Sequence, residues 1–373
     1  MKIKAAVLRE FNKPVSIEKV ELAPPKEKEV LVKTYYTGFC HSDLSFIDGS
    51  FSHFPLPMVI GHETSGIVEE VGPGVTSLKK GDHVVPVWMI ACGECPECRS
   101  GLGFICSENH RIQATGGLLD ETSRLTDLNG NRLSHQNFVS GFAEYMVIPE
   151  KGAIKIREDL PLDQACFLGC AMPTGFASAY NAANIKPGDP VAIWGLGGIG
   201  LNVVNGAKSR GANPIIGVDL EGSKESIARE FGVTHFINNS QEDPVPIIKE
   251  LTGTGVKFAF EAIGDIGAYI QAWWSLGPWG KLIHIGLVKA GGVVRTEDTP
   301  IMFAPLQGMS IQSVLYGFID THRDIPTFAD MAMRGELKLD KLATKKFKIE
   351  EINDVVESME KRQIIGRWIC EWH

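Results

Sequence analysis

Six residues restrict the possible folds of this chain more than any others. Gly195-Leu196-Gly197-Gly198-Ile199-Gly200 follow a short apolar run, Val191 to Trp194, and open a helix-like stretch from about Gly198 to Arg210. A G-x-G-x-x-G run carries meaning in that context of strand, turn and helix, because each glycine then has a task. Gly195 permits the tight turn, Gly197 lets the backbone approach a pyrophosphate, and Gly200 lets helix and strand pack closely. The helix start offers unpaired N–H groups to the anion. Asp219 closes the next apolar run, nineteen residues beyond Gly200. A carboxylate there accepts hydrogen bonds from ribose hydroxyls and repels a 2′-phosphate, so the expected cofactor is NAD rather than NADP. Strand-like runs at 214–218, 235–237, 257–260 and 281–285 alternate with helical ones at 223–231 and 244–251. That alternation predicts an α/β fold with a doubly wound parallel sheet. The plainer alternative is a glycine turn that has lost its nucleotide.

The first 150 residues read differently. Short β-branched runs such as 2–9, 29–36, 65–71 and 83–87 are separated by turn pairs such as Pro73-Gly74 and Gly81-Asp82. This part is expected to be β-rich. Residues 162–181 read as two helical pieces broken at Pro173, and the tail as one or two helices and a last strand, 366–371. The net charge of −8 leaves no basic footprint for nucleic acid. No apolar run approaches the roughly 18 residues that cross a bilayer, and the start lacks the apolar region of a signal peptide. A cytoplasmic protein with no membrane partner is the expectation.

Four of the eight cysteines, Cys92, Cys95, Cys98 and Cys106, fall within fifteen positions. In a reducing compartment such a cluster holds metal more often than disulfides. Four thiolates enclose Zn²⁺ tetrahedrally and leave no place for substrate, so the expected role is structural. An iron–sulfur cluster or a nucleic-acid-binding zinc ribbon are the competing readings. A second candidate set is scattered: Cys40-His41-Ser42-Asp43, then Gly61-His62-Glu63, then Gly169-Cys170. Cys₂His with one open place is an established catalytic zinc set. Spacing alone does not pair these residues, and taken singly Cys170 reads as a buried core thiol and His62 as a satisfied structural histidine.

Taken together, these motifs resemble the zinc-containing alcohol dehydrogenases of the medium-chain dehydrogenase/reductase superfamily. Gly61-His62-Glu63 with Gly66, Val71, Gly72 and Gly81-Asp82, the four-cysteine lobe, Gly169-Cys170 with Thr174-Gly175, the glycine turn and Asp219 occur in the family's order over essentially the whole chain. The resemblance implies a β-rich GroES-like catalytic domain over 1–171 and 313–373, with a zinc lobe at about 88–110. It implies a Rossmann coenzyme domain over 172–312. Cys40, His62 and Cys170 would hold a catalytic zinc and the four clustered cysteines a structural one. Asp43 would orient His62, although a helix cap is an equally ordinary use of an Asp there. Glu63 would sit beside the metal, and Ser42 would bind the substrate oxygen and take its proton. Gly195, Gly197, Gly198, Ile199, Gly200, Asp219, Lys224 and Thr174 would bind the nucleotide, with His41 and Arg367 on its pyrophosphate. Trp88 and Phe51 would line an apolar substrate pocket. A homodimer or homotetramer joined through the edge of the nucleotide-domain sheet is the family's habit.

One position departs from the pattern. Many relatives end the proton relay with a histidine where this chain has Ser45, which has no useful basicity near neutral pH. The long polar segment 107–141 is similar to an insertion in the glutathione-dependent formaldehyde dehydrogenases, and Arg111 lies near an anion-contacting arginine of that branch. No carboxylates near Phe51 and His53 match the partners of the glutathione amine. The expected reaction is therefore NAD-linked interconversion of an alcohol with its aldehyde or ketone. Glutathione-linked formaldehyde oxidation, polyol oxidation and a non-catalytic relative are the alternatives.

Overall fold

A computed structural model describes residues 1–288, 292–295, 298 and 304–373. The chain divides into two units, Met1–Cys170 with Asp320–His373, and Ala171–Ile319.

The first unit contains a small closed barrel and a larger sheet. The barrel runs in the order β1 (Lys2–Leu8), β2 (Ser16–Leu22), β7 (Leu125–Thr126), β8 (Arg132–His135) and β4 (Met58–Val59). The sheet runs β10 (Ala153–Lys155), β6 (His83–Pro86), β5 (Glu63–Val71), β3 (Glu29–Gly38), β18 (Arg367–Glu371) and β17 (Ala343–Phe347), with β9 (Tyr145–Pro149) also on β3. Side chains alternate across a strand, and β1 uses both faces. Ile3, Ala5 and Val7 enter one core with Val20, Leu133 and Phe138. Ala6 and Leu8 enter another with Phe39, Phe46 and Phe142. The segment 107–141, expected as a polar insertion, supplies β7 and β8 and thereby closes the barrel. The final strand β18 lies antiparallel to β3, Ile369 opposite Gly38.

The second unit is a six-stranded parallel sheet ordered β13 (His235–Asn238), β12 (Ile215–Asp219), β11 (Val191–Trp194), β14 (Val256–Glu261), β15 (Leu276–His284) and β16 (Ser310–Ser313). All four residues of β11 are buried, as a strand covered on both faces requires. Strand order reverses between β11 and β14, which leaves a crevice at their carboxyl ends. The helical stretch after Leu162 breaks at Cys170, whose φ of −150° is not helical, and not at Pro173, which sits in the first turn of the second piece where a missing N–H costs nothing. Short turns cover Leu162–Gly169, and a π-helical segment, Pro173–Ala182, begins at the proline. The entry segment Pro173–Ala182 packs against the exit turn Tyr316–Phe318. Among the described residues no helix is long and apolar enough to cross a membrane.

Candidate active site and metal centres

The glycine turn is built as its sequence requires. Gly195 has φ +87°, and a Cβ on Gly200 would lie 1.7 Å from the Gly195 carbonyl oxygen, so neither accepts a side chain. A Cβ on Gly197 would meet nothing within 4 Å. That open space lies at the start of the helix Gly198–Ser209, which has no side-chain cap, and it fits a pyrophosphate resting on free N–H groups. Ile199 is half-buried in the first turn of the same helix. Asp219 ends β12 beside the turn and accepts the Leu196 N–H at 2.7 Å. Lys224, by default a solvated charge, instead holds both Asp219 oxygens at 3.0 Å. Thr174 lies in the π-helical segment, where its carbonyl accepts the Ser178 hydroxyl.

In the other unit, three distant stretches converge. Cys40 follows β3, His62 precedes β5, and Cys170 follows the turn at Cys166–Gly169. Their ligand atoms lie within 4.8 Å of one another, and all three residues are buried. The Cys170 Sγ is 3.3 Å from His62 Nε2. The other imidazole nitrogen, Nδ1, lies 2.9 Å from Asp43 Oδ1. Asp43 thus faces the ring as expected, and it is not the N-cap of the helix His41–Ile47, which is Cys40, but the third residue of that helix in a capping box. Its second oxygen accepts the Cys40 backbone N–H at 2.9 Å and so closes that box. A carboxylate on Nδ1 leaves Nε2 as the free lone pair, the state a metal-ligating histidine needs. Burial opposes charge on His62, but Asp43 outweighs it and raises the imidazole well above its ordinary range. A hydrogen bond from Cys170 and the Arg367 guanidinium draw the Cys40 thiol well below its ordinary range. The same contact and burial push Cys170 the other way.

Glu63 and Arg367 complete this pocket. Gly38 stands opposite Glu63 in the sheet, and a Cβ on Gly38 would lie 2.5 Å from Glu63 Oε1, so the glycine makes room for the carboxylate. Burial pushes Glu63 up to about 7 although Arg367 opposes the rise. Arg367, expected on a pyrophosphate, is buried with Nε 3.3 Å from Glu63 Oε1 and Nη2 3.4 Å from Cys40 Sγ. The Ser42 hydroxyl lies 3.8 Å from Cys40 Sγ. His41 is exposed, and its carbonyl accepts the Ser45 hydroxyl at 3.2 Å. Phe51 packs in an aromatic cluster with Phe46 and Phe54, and half-buried Trp88 lies just beyond β6.

The four-cysteine lobe is local. Its cysteines are free of disulfides and their sulfurs form one cluster. Cys92 and Cys98 sulfurs are 3.9 Å apart, Cys95 and Cys106 sulfurs 3.8 Å. Those are the edges of a tetrahedron with metal–sulfur bonds of about 2.3 Å, and nearly twice a disulfide length. Backbone N–H groups of Glu94 and Cys95 reach Cys92 Sγ, both at 3.3 Å, and draw that thiol down to about 7. The N–H of Asn109 reaches Cys106 Sγ at 3.4 Å. Such contacts suit thiolates, so both donor sets fit zinc. Arg111, at the edge of this region, is exposed and paired with Glu108 and Glu121.

Comparison with known proteins agrees with this geometry. A family model described as the alcohol dehydrogenase GroES-like domain matches residues 26–158, and one described as zinc-binding dehydrogenase matches 198–333. An alcohol dehydrogenase class-3 of Pisum sativum is 35% identical over 97% of this chain and 96% of its own length. The chain belongs to the zinc-containing alcohol dehydrogenases of the medium-chain dehydrogenase/reductase superfamily. An S-(hydroxymethyl)glutathione dehydrogenase of a Synechocystis strain is 38% identical over 96% of this chain and 97% of its own. The crystal structure of a benzyl alcohol dehydrogenase from Acinetobacter calcoaceticus superposes with a TM-score of 0.91 at 32% identity, covering 100% of both chains. One residue of this site was not singled out from the sequence: Gln136 touches both Asp43 and the segment before His62.

Proposed function

We propose that the chain interconverts a small uncharged alcohol with its aldehyde or ketone, using NAD, at a zinc held by Cys40, His62 and Cys170. The observation that carries this reading is the convergence of those three donors, with Asp43 on the far nitrogen of His62. Zinc with three protein ligands and an open fourth place supplies a Lewis acid to the substrate oxygen. NAD supplies the hydride acceptor. The chain's own residues do the rest. Ser42 takes the hydroxyl proton of the alcohol. Asp43 fixes the His62 ring, and Arg367 balances the buried Glu63 carboxylate. Gly195 to Gly200 seat the pyrophosphate, and Asp219, with Lys224 held on it, receives the ribose hydroxyls and disfavours a 2′-phosphate. The four-cysteine lobe holds a second, structural zinc. Trp88 and Phe51 give the substrate region aromatic bulk suited to apolar alcohols.

A second reading, glutathione-linked formaldehyde oxidation, is favoured by the name of the Synechocystis relative. Against it, Arg111 is already paired with two carboxylates. The deciding measurement is zinc content per chain together with NADH absorbance over a panel of alcohols, with NAD and with NADP, and with formaldehyde plus and minus glutathione. Two zinc ions and NAD-dependent turnover of alcohols without glutathione is the expected result. A strict glutathione requirement gives the second reading, and no turnover with any substrate gives a non-catalytic relative.

The eight free thiols suit a reducing compartment, and we place the protein in the cytoplasm. We also infer a homodimer or homotetramer joined through β16, the edge strand of the parallel sheet, where Ile311 is exposed. Light scattering of wild type and an Ile311→Lys variant tests it.

A further inference from the structure

We propose that Gln136 is a positioning residue of the three-ligand centre, holding the Asp43 carboxylate and the backbone before His62 in one rigid frame. The inference rests on the metal reading of Cys40, His62 and Cys170.

Gln136 follows barrel strand β8 and is completely buried. Its Oε1 accepts the Gly61 N–H at 2.5 Å, and its Nε2 donates to Asp43 Oδ1 at 2.9 Å. The same Nε2 lies 3.2 Å from His62 Nδ1. An ionised carboxylate only accepts hydrogen bonds, so Nδ1 must carry a proton to reach Asp43. The two nitrogens are therefore both donors converging on one oxygen, not partners of each other. The side-chain amide has no freedom to reverse: a turned amide would face Gly61 N–H with its own NH₂ and press its oxygen on a carboxylate. With the orientation set by Gly61, Asp43 receives three donors, from Cys40, His62 and Gln136. The result is a histidine held in the tautomer that offers Nε2, by a chain of contacts running from the barrel to the ligand.

The backbone is shaped for this. Asn137, Phe138 and Ser140 have φ of 50°, 68° and 57°, a region that side chains other than glycine rarely occupy. Strain of this kind persists only where surrounding structure imposes it. Here Phe138 is buried in the barrel core, the Val139 N–H folds back on the Gln136 carbonyl at 2.9 Å, and the Gln136 N–H reaches the Val59 carbonyl at 3.2 Å. The hook turns Gln136 inward from the end of β8.

The test uses the whole enzyme with Co²⁺ in place of zinc, comparing wild type, Gln136→Met and Gln136→Glu. Release of each metal to EDTA and the ligand-field absorption of the two sites are followed, with kcat and the KM for NAD measured beside them. Both variants are expected to lose the metal of the three-ligand centre about 10- to 100-fold faster, with an altered absorption at that site. The kcat is expected to fall about tenfold, with KM for NAD and the four-cysteine metal unchanged. Gln136→Glu, which sets a carboxylate against Asp43, is the more damaging. Adding Asp43→Asn to Gln136→Met should accelerate release by less than the product of the two separate factors, because both act through one carboxylate. Wild-type spectra and release rates in both variants, or fully multiplicative factors in the double variant, overturn the proposal. So does loss of both metals together with the circular dichroism of the fold, which would mark Gln136 as a support of the barrel alone. A wild-type chain that binds only the four-cysteine metal overturns the underlying metal reading instead.

Discussion

The two donor sets reach metal-binding geometry by opposite routes. The lobe takes four cysteines from fifteen consecutive positions, leaves three of them half-exposed, and turns backbone N–H groups onto their sulfurs. The other centre gathers Cys40, His62 and Cys170 across 130 residues, buries all of them, and supports them with side chains: Asp43, Gln136, Glu63 and Arg367. A local site is organised by its own backbone. A dispersed one depends on the fold to bring its ligands together and on buried polar groups to aim them, so a single change there is expected to remove function while leaving the fold.

The sharpest break in that contrast is Cys170→Ala. Turnover should fall at least about 1,000-fold, as for loss of a group central to the chemistry, and zinc should drop from two ions per chain to one. The thermal unfolding midpoint should barely move. Unchanged turnover in a chain holding one zinc would dissolve the distinction between the centres. Cys98→Ser in the lobe should do the reverse. Stability is expected to fall by about 2–4 kcal/mol by denaturant titration, since a structural zinc contributes folding energy directly. Freshly prepared protein should keep most of its kcat.

Acid should also tell the regions apart. His135, beside Gln136, is buried: its Nε2 accepts the Arg124 N–H at 3.2 Å, and its Nδ1 lies 3.1 Å from the Ser140 hydroxyl. Burial and the nearby Arg124 push it down to about 3 from 6.5. The unfolded chain therefore binds a proton that the folded chain refuses, and stability is lost as pH falls below about 6.5 towards 3. The slope is up to about 1.4 kcal/mol for each pH unit. His135→Gln should flatten the acid limb of a stability profile in that window; an unchanged slope would mean the imidazole is not the group responsible. The smallest effect is expected from Ser45→His, with an altered pH profile of kcat and a change of a few fold at most in rate. An unchanged profile would remove this position from the proton path.

What could be read in the sequence follows the same division. The glycine turn and the four-cysteine spacing are local, and each residue type has a geometric reason at its place. Asp219 was legible because a strand end fixes it; Lys224 could be named only by resemblance, since a surface lysine looks the same whether free or pinned to a carboxylate. The three-ligand set could be assembled only by resemblance, because spacing says nothing about which loops meet. Gln136 left no signal, as a glutamine after a strand carries no pattern until Asp43 is seen opposite it. The strands Leu125–Thr126 and Arg132–His135 are too short for any two-residue alternation to stand out, so the segment that closes the barrel read as a polar insertion.

The packing of Pro173–Ala182 against Tyr316–Phe318 has an engineering consequence. The nucleotide unit leaves its host at a seam where its own first and last segments already touch, so it resembles a cassette more than a link in a row. Such a piece can be exchanged for another of its kind, or given new termini in a surface loop with the old ones spliced, at little cost in loop entropy. Cofactor preference in this chain is in that sense portable.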